Sequence, residues 1–216
     1  MLKALGVSMM LAIIGCSLSS AAVVSGNFKE VNLDMKYPLV YTNNINSQNQ
    51  INADLANIIY AMKNDYDNGK CYSAKMDYEI TCETDDVVSI LLKTYVVRFT
   101  GAAHGFVNWT GLVYDKKTGN RIPVSSYVTL SSPDQIQTLL LSGILKSYNW
   151  DMKQNFFFRN AGNNVKKVSD NYVLGSDGTI YLIYPPYSIG PFAYGPYRVG
   201  LDSVAIDYLN RMNRNK

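Results

Sequence analysis

The chain holds a single histidine, His104, set in the stretch "GAAHG" from Gly101 to Gly105. Any Ser-His-Asp or Cys-His relay would have to run through that one imidazole, and no G-x-S-x-G elbow accompanies it. A histidine-based metal centre needs further ligands at defined spacing. The sequence has no H-E-x-x-H and no C-x-x-C, so neither a metal nor a cofactor is expected. No glycine loop followed by Lys-Ser/Thr offers to cradle a phosphate. Among the carboxylates, Asp85, Asp86 and Asp177 fall in turn-forming stretches, where Asp bonds its own backbone. Glycoside hydrolysis needs two carboxyls across a cleft, and no spacing here singles out such a pair. Gly101, His104 and Gly105 therefore read as a structural turn.

A second unusual stretch is "IYLIYPPYSIGPFAYG", from Ile180 to Gly195, with four tyrosines, three prolines and no charge. Its first half reads as a strand packed on both faces. Pro185 and Pro186 cannot donate to a ladder, so the strand ends there and a rigid loop follows. Tyr187, Phe192, Tyr194 and Tyr197 project from that loop as low-entropy binding anchors. The other reading is that they fold back and cap the sheet, with their hydroxyls on backbone carbonyls.

At 216 residues, 47% hydrophobic and 17% charged, the chain can bury the core of one domain. A net charge of +3 gives no argument for nucleic acid, and the basic tail Arg211 to Lys216 reads as solvated. Met1 to Ile14 carries one cation and then an apolar run too short to span a bilayer, which reads as a signal peptide. "AIIGC" places Cys16 directly after that run, as in a bacterial lipobox, so Cys16 is the candidate lipidation site. Ordinary cleavage after Ser20-Ala21-Ala22 is the alternative. The expected organisation is a lipoprotein-type signal at 1–15, a tether at 16–30 and one domain at 31–216, its halves meeting near 101–130. Cys71 and Cys82 remain as a candidate disulfide in an oxidising compartment. An extended strand between them would hold them roughly 35 Å apart at ~3.3 Å per residue.

The elements are α+β, a mainly antiparallel sheet with two to three helices on one face. Leu33 to Thr42 alternates as a strand, with Pro38 marking an edge or bulge. Ile51, Leu55, Ile58, Ile59 and Met62 form one helical stripe, capped by Asn46 or Ser47 and stopped at "DNG". Tyr72 to Thr84 and Val87 to Thr100 form a hairpin, the second strand apolar enough to sit centrally. Phe106 to Asp115 is a further strand closed by "DKKTGN". Ser132-Pro133 starts a helix with Ile136, Leu139, Leu140 and Ile144 inward. Asn149 to Asp170 gives no clear reading. A hairpin turns at Ser176 to Gly178. A last helix begins at Asp202 or Ser203 and spaces Val204, Ala205, Tyr208, Leu209 and Met212 helically.

Three stretches carry a family resemblance. "TGAAHGFVNWTGLVYDKKTGNRIPVSSYV" resembles the T-G-G-A-H-G…D…T-G-K…L-S-D-L pattern of an exported bacterial domain. "DGTIYLIYPPYSIGPFAYG" is similar to its second motif, and "YPLVYTNNINSQNQIN" to its opening. The family comprises the extracellular domains of RsiV-type anti-sigma factors, the N-terminal modules of PdaC-type peptidoglycan deacetylases, and envelope lipoproteins. The resemblance implies lysozyme binding in the first context and work at the cell wall in the second. Ala102 replaces the family's second glycine, and Ser188 stands where it often has Glu. Together these readings predict a non-catalytic, lipid-anchored envelope protein. Its expected partner is peptidoglycan or a wall-directed protein such as lysozyme, with no nucleic acid and no membrane contact beyond the anchor. The alternative is an envelope glycan hydrolase or transferase using His104 and an acid.

Overall fold

A computed structural model describes residues 23–155 and 164–214. The signal segment, Cys16 and residues 16–22 of the expected tether lie outside them. The rest of that tether is a strand: Val23–Glu30 forms β1 and pairs antiparallel along all of β2 (Leu33–Val40). Its side chains are mostly exposed, so its ordering comes from backbone bonds and from Phe28, whose ring lies 5.2 Å from that of Tyr37.

Helix α1 (Ile45–Asp67) begins earlier than the apolar stripe suggests. The Asn44 side chain accepts the Asn46 N–H at 3.0 Å and caps it, while Ser47 sits inside the first turn. Ile51, Leu55 and Ile59 are buried. The helix is the crossover that sets β2 parallel to β3 (Ser73–Glu83). That pairing covers only Leu33–Met35 against Ala74–Met76, so Pro38 lies beyond it and its missing N–H costs no ladder bond there. β3, β4 (Val87–Val97) and β5 (Phe106–Asp115) continue antiparallel, giving the order β1-β2-β3-β4-β5. β4 is buried on both faces as its composition requires, although it is fourth of five in the order. Ile90 and Leu92 pack with α1, Leu112 and Tyr114, and Leu91 points the other way with Trp109.

What covers that other face is a second sheet. β6 (Lys146–Tyr148), β7 (Gln154–Asn155), β8 (Tyr172–Leu174), β9 (Ile180–Tyr184) and β10 (Tyr197–Leu201) run in the order β7-β6-β10-β9-β8. Period two divides β9 between two cores. Ile183 and the partly buried Tyr181 meet Leu91 and Trp109. Ile180, Leu182 and Tyr184 meet Ile136, Leu139 and Leu140 of α2 (Pro133–Leu141) and Ala205 and Leu209 of α3 (Ser203–Asn213). The α+β class holds, but in place of one sheet with helices on one face there are two stacked sheets with helices outside both.

Ser132 caps α2 as expected, accepting the Gln135 N–H at 3.2 Å. Ile144 falls past the end of that helix and is 49% exposed, and Leu145 fills the core instead. In α3, capped by Asp202, only Ala205, Leu209 and Asn213 are buried, so Val204, Tyr208 and Met212 face outward. Cys71 and Cys82 are both free. They lie just before and near the far end of β3, which stays extended through a bulge between Ile80 and Cys82, so at ~3.3 Å per residue they stand roughly 35 Å apart and no bridge forms between them. Burial pushes both thiols up, Cys71 also under the Asp65 charge and Cys82 under that of Glu83.

The register fixes which end of the first sheet carries what. Val23 lies opposite Val40, whereas Glu30, Leu33, Ala74 and Val96 gather at the other end. The chain thus enters from residue 22 at one end, and the loop after Val97, which holds His104, lies at the opposite one.

Candidate functional site: an aromatic cleft between two motif loops

On the face of β4 and β5 turned toward the second sheet stand Lys93, Tyr95, Val107 and Trp109. The second sheet covers Leu91 and much of Trp109 but leaves the end nearer the β4–β5 loop open. The result is a cleft of about 460 Å³ with Tyr95, Trp109 and Trp150 as its aromatic walls. Lys36, Lys75 and Lys93 line it together with Asp34 and Asp77. Trp109 is only 7% exposed, and the Lys93 ammonium lies 5.4 Å from its ring centre while bonding Glu79 at 2.7 Å.

Both motif loops are built onto this cleft. The Gly105 N–H donates to the Tyr95 hydroxyl at 2.9 Å. A Cβ on Gly105 would stand 2.5 Å from the Tyr95 ring, so any larger residue here would push that ring out of place. His104 hydrogen-bonds the Gly105 carbonyl through Nδ1 at 3.1 Å, and its ring centre is 4.6 Å from that of Phe192. Phe192 in turn stacks on Tyr187 at 5.3 Å. From the other side, the Trp150 N–H donates to the Tyr194 carbonyl at 3.3 Å, and the Trp150 ring packs on Gly195. Two loops far apart in sequence thus form one continuous aromatic rim.

Of the four anchors expected from the tyrosine-rich loop, Tyr187 is 66% exposed, Tyr194 is exposed and Phe192 is half-buried. Tyr197 does not project. It opens β10, is 3% exposed, and donates its hydroxyl to the Pro191 carbonyl at 2.8 Å, with burial pushing its pKa up to about 12. Gly101 adopts a left-handed φ of 83° at the head of the His104 loop. No ion pair joins His104 to a carboxylate among the described residues, and no group of three His, Cys, Asp or Glu side chains gathers among them. Asp86 pairs with Lys117 at 2.6 Å, and Asp177 accepts the Thr179 N–H at 3.0 Å within its own turn.

No spacing or motif marks Tyr95, Trp109 and Trp150 as a set. The first two fall inside the strands β4 and β5, and the third in the stretch from Asn149 to Asp170 that gives no clear reading. A larger cleft of about 600 Å³ opens on the opposite face of the sheet, where α1 leaves part of β4 and β5 uncovered. Its walls are mainly Ile58, Met62, Met76, Leu92 and Val96, and the tyrosine-rich loop does not reach it.

Residues 25–107 match a family model described as deacetylase PdaC. No curated protein matches the chain. Among solved structures, a DUF3298 family member from Bacteroides fragilis aligns at 14% identity with a TM-score of 0.59, covering 89% of this chain and 94% of that one. A DUF3298 family protein from Pseudomonas aeruginosa PAO1 aligns at 14% identity with a TM-score of 0.55, covering 87% and 92%. No helix among the described residues is long and apolar enough to cross a membrane. The resemblance carried by the sequence therefore holds: residues 25–107 are similar to the PdaC model, and the chain shares the fold seen in DUF3298 family structures.

Proposed function

We propose that the chain is a non-catalytic recognition module of the bacterial cell envelope that binds the wall glycan in the Tyr95–Trp109–Trp150 cleft. The observation that carries this reading is the joining of the two motif loops into one aromatic rim over a sheet-backed groove. Flat rings bordered by charged and hydroxyl groups suit a sugar chain, since they offer apolar faces at low entropic cost beside hydrogen-bonding edges. The orientation fits as well. A chain anchored through Cys16 would enter at Val23 and carry the rim at the far end of the sheet, roughly 26 Å along an eight-residue strand at ~3.3 Å per residue.

Purified chain incubated with insoluble peptidoglycan should be retained, and not retained by immobilised lysozyme. Trp150→Ala should weaken retention about tenfold, near 1.4 kcal/mol, while leaving the unfolding midpoint close to that of the parent. Equal retention of the two proteins, or retention by lysozyme alone, would remove the proposal. The alternative of a glycan hydrolase is tested in the same samples by release of reducing ends. His104→Gln should leave the absence of turnover unchanged.

A further inference from the structure

Arg198, on β10, is buried with too few partners. Its side chain is 6% exposed, yet Nε has no hydrogen-bond partner. One terminal nitrogen reaches Glu79 Oε2 only at 3.4 Å, and that same oxygen accepts from Lys93 at 2.7 Å. The other terminal nitrogen donates to the Met152 thioether at 2.9 Å. Trp109 lies against the guanidinium at 4.9 Å and supplies no acceptor in its plane. A guanidinium has five N–H donors in a fork that suits a carboxylate, and a thioether is a weak acceptor. Leaving such donors unmade in a buried site is costly.

The weak partner is held by a strained residue. Met152 is a non-glycine with a φ of 58° in the hairpin loop between β6 and β7. Asn149 braces that loop, its Oδ1 accepting the N–H groups of Asp151 at 3.1 Å and Lys153 at 2.8 Å. The same loop sends Trp150 into the aromatic cleft and Met152 over Arg198, where a further cleft of about 400 Å³ opens. Glu79, Ser176, Asp177 and Tyr181 also line it. Glu79 is shared between Lys93 and one terminal nitrogen of Arg198, and Asp177 is engaged by its own turn, so Nε of Arg198 stays without an acceptor.

We propose that Arg198 receives a carboxylate of the bound glycan, and that the Met152 side chain occupies that place in the free protein. This deepens the wall-glycan reading and rests on it: the ligand crosses the 149–153 loop from the aromatic cleft and sets an acidic group on the guanidinium. Met152 is an unbranched, partly exposed side chain, so a rotamer change clears the site.

The experiment uses soluble wall-glycan fragments with free carboxyl groups and the same fragments with those groups converted to primary amides. Binding is read by calorimetry. The parent should bind the acid form at least tenfold more tightly than the amide. Arg198→Gln should lose that preference and keep amide binding within about twofold. Met152→Glu, which supplies a carboxylate from the chain itself, should also lose the preference and should raise the unfolding midpoint, so the idea stays testable if Arg198→Gln does not fold. Fragments stripped of peptide show whether the sugar or the peptide provides the carboxylate. Equal binding of acid and amide by the parent overturns this inference and leaves the glycan reading intact. Binding of neither form overturns both. A preference that survives in Arg198→Gln or Met152→Glu also overturns it.

Discussion

A Gly111→Val chain should lose about 4 kcal/mol of stability, a cost in the range reserved for severe overpacking of a core position. Gly111 lies on β5 where the two sheets meet. Its N–H donates to Asn171 Oδ1 at 2.7 Å, and Asn171 Nδ2 donates to the Trp109 carbonyl at 2.7 Å. Asn171 thereby acts as a one-residue extension of the ladder, holding the start of β8 against β5. A Cβ at Gly111 would stand 1.9 Å from the Tyr172 carbonyl oxygen. That oxygen is backbone, so no rotamer change makes room, and the second sheet must slide off β5 or the strand must part from it. Gly143 is the control, with a left-handed φ of 74° and nothing within 4 Å of a built Cβ. Gly143→Ala should cost only about 1 kcal/mol, the penalty of the backbone conformation alone. Urea unfolding of the three chains checks this, and a Gly111→Val midpoint near that of Gly143→Ala would show that the junction gives way easily.

That junction is also where the sequence stops being readable. Continuous apolar runs in β4 and β9 announce burial on both faces, because a half-exposed strand would alternate. They do not say what lies on the second face. Nothing in "VVSILLKTYVV" distinguishes a second sheet from a layer of helices, and so the two-sheet stack was not anticipated. β1 was hidden for the opposite reason. "VVSGNFKE" at a sheet edge is ordered by backbone pairing, and its mostly exposed side chains leave no periodic trace. Helix α1 was legible because it buries one face at a fixed period, and the β3–β4 hairpin because two strand-like runs flank a short polar turn.

The site divides in the same way. Both loops stood out by composition, the first as a lone histidine between glycines and the second as an uncharged cluster of glycine, proline and aromatic residues. The cleft between them did not, because Tyr95, Trp109 and Trp150 come from three elements brought together by the stacking of the sheets. Arg198 was missed for a sharper reason: in "YRVGL" a cation between apolar residues looks solvent-facing, whereas here it points inward between the sheets. Tyr197, read as a loop residue, belongs to the strand beside it.

Asp54→Ala should cost about 3 kcal/mol at neutral pH, since it strips two groups of their acceptor at once. The carboxylate accepts the Tyr114 hydroxyl at 2.7 Å and Arg121 Nε at 2.6 Å. Tyr114 is fully buried and would be left with an unpaired hydroxyl. The contact also tethers the "DKKTGN" turn to α1, where Ser47 donates to the Lys116 carbonyl at 2.6 Å and Asn44 Nδ2 to that of Lys117 at 2.8 Å. This part of the resembling stretch therefore builds the fold rather than the cleft. Tyr114→Phe removes the donor and leaves no orphan, so it should cost only about 1 kcal/mol, and the double variant should fall short of the sum. The pH dependence has a definite sign. Burial would raise the Asp54 carboxyl, but hydrogen bonds from Arg121 and Tyr114 and the charge of Arg121 outweigh it and hold it below its ordinary value. A depressed carboxyl contributes stability that is fully present above its unfolded value, about 3.9, and is lost as pH falls through the folded one. The gap in unfolding free energy between the parent and Asp54→Ala should hold from pH 7 to pH 5 and narrow as pH falls below about 4. A gap that stays constant down to pH 2 would mean that Asp54 acts by packing alone and that its charge contributes nothing to the clamp.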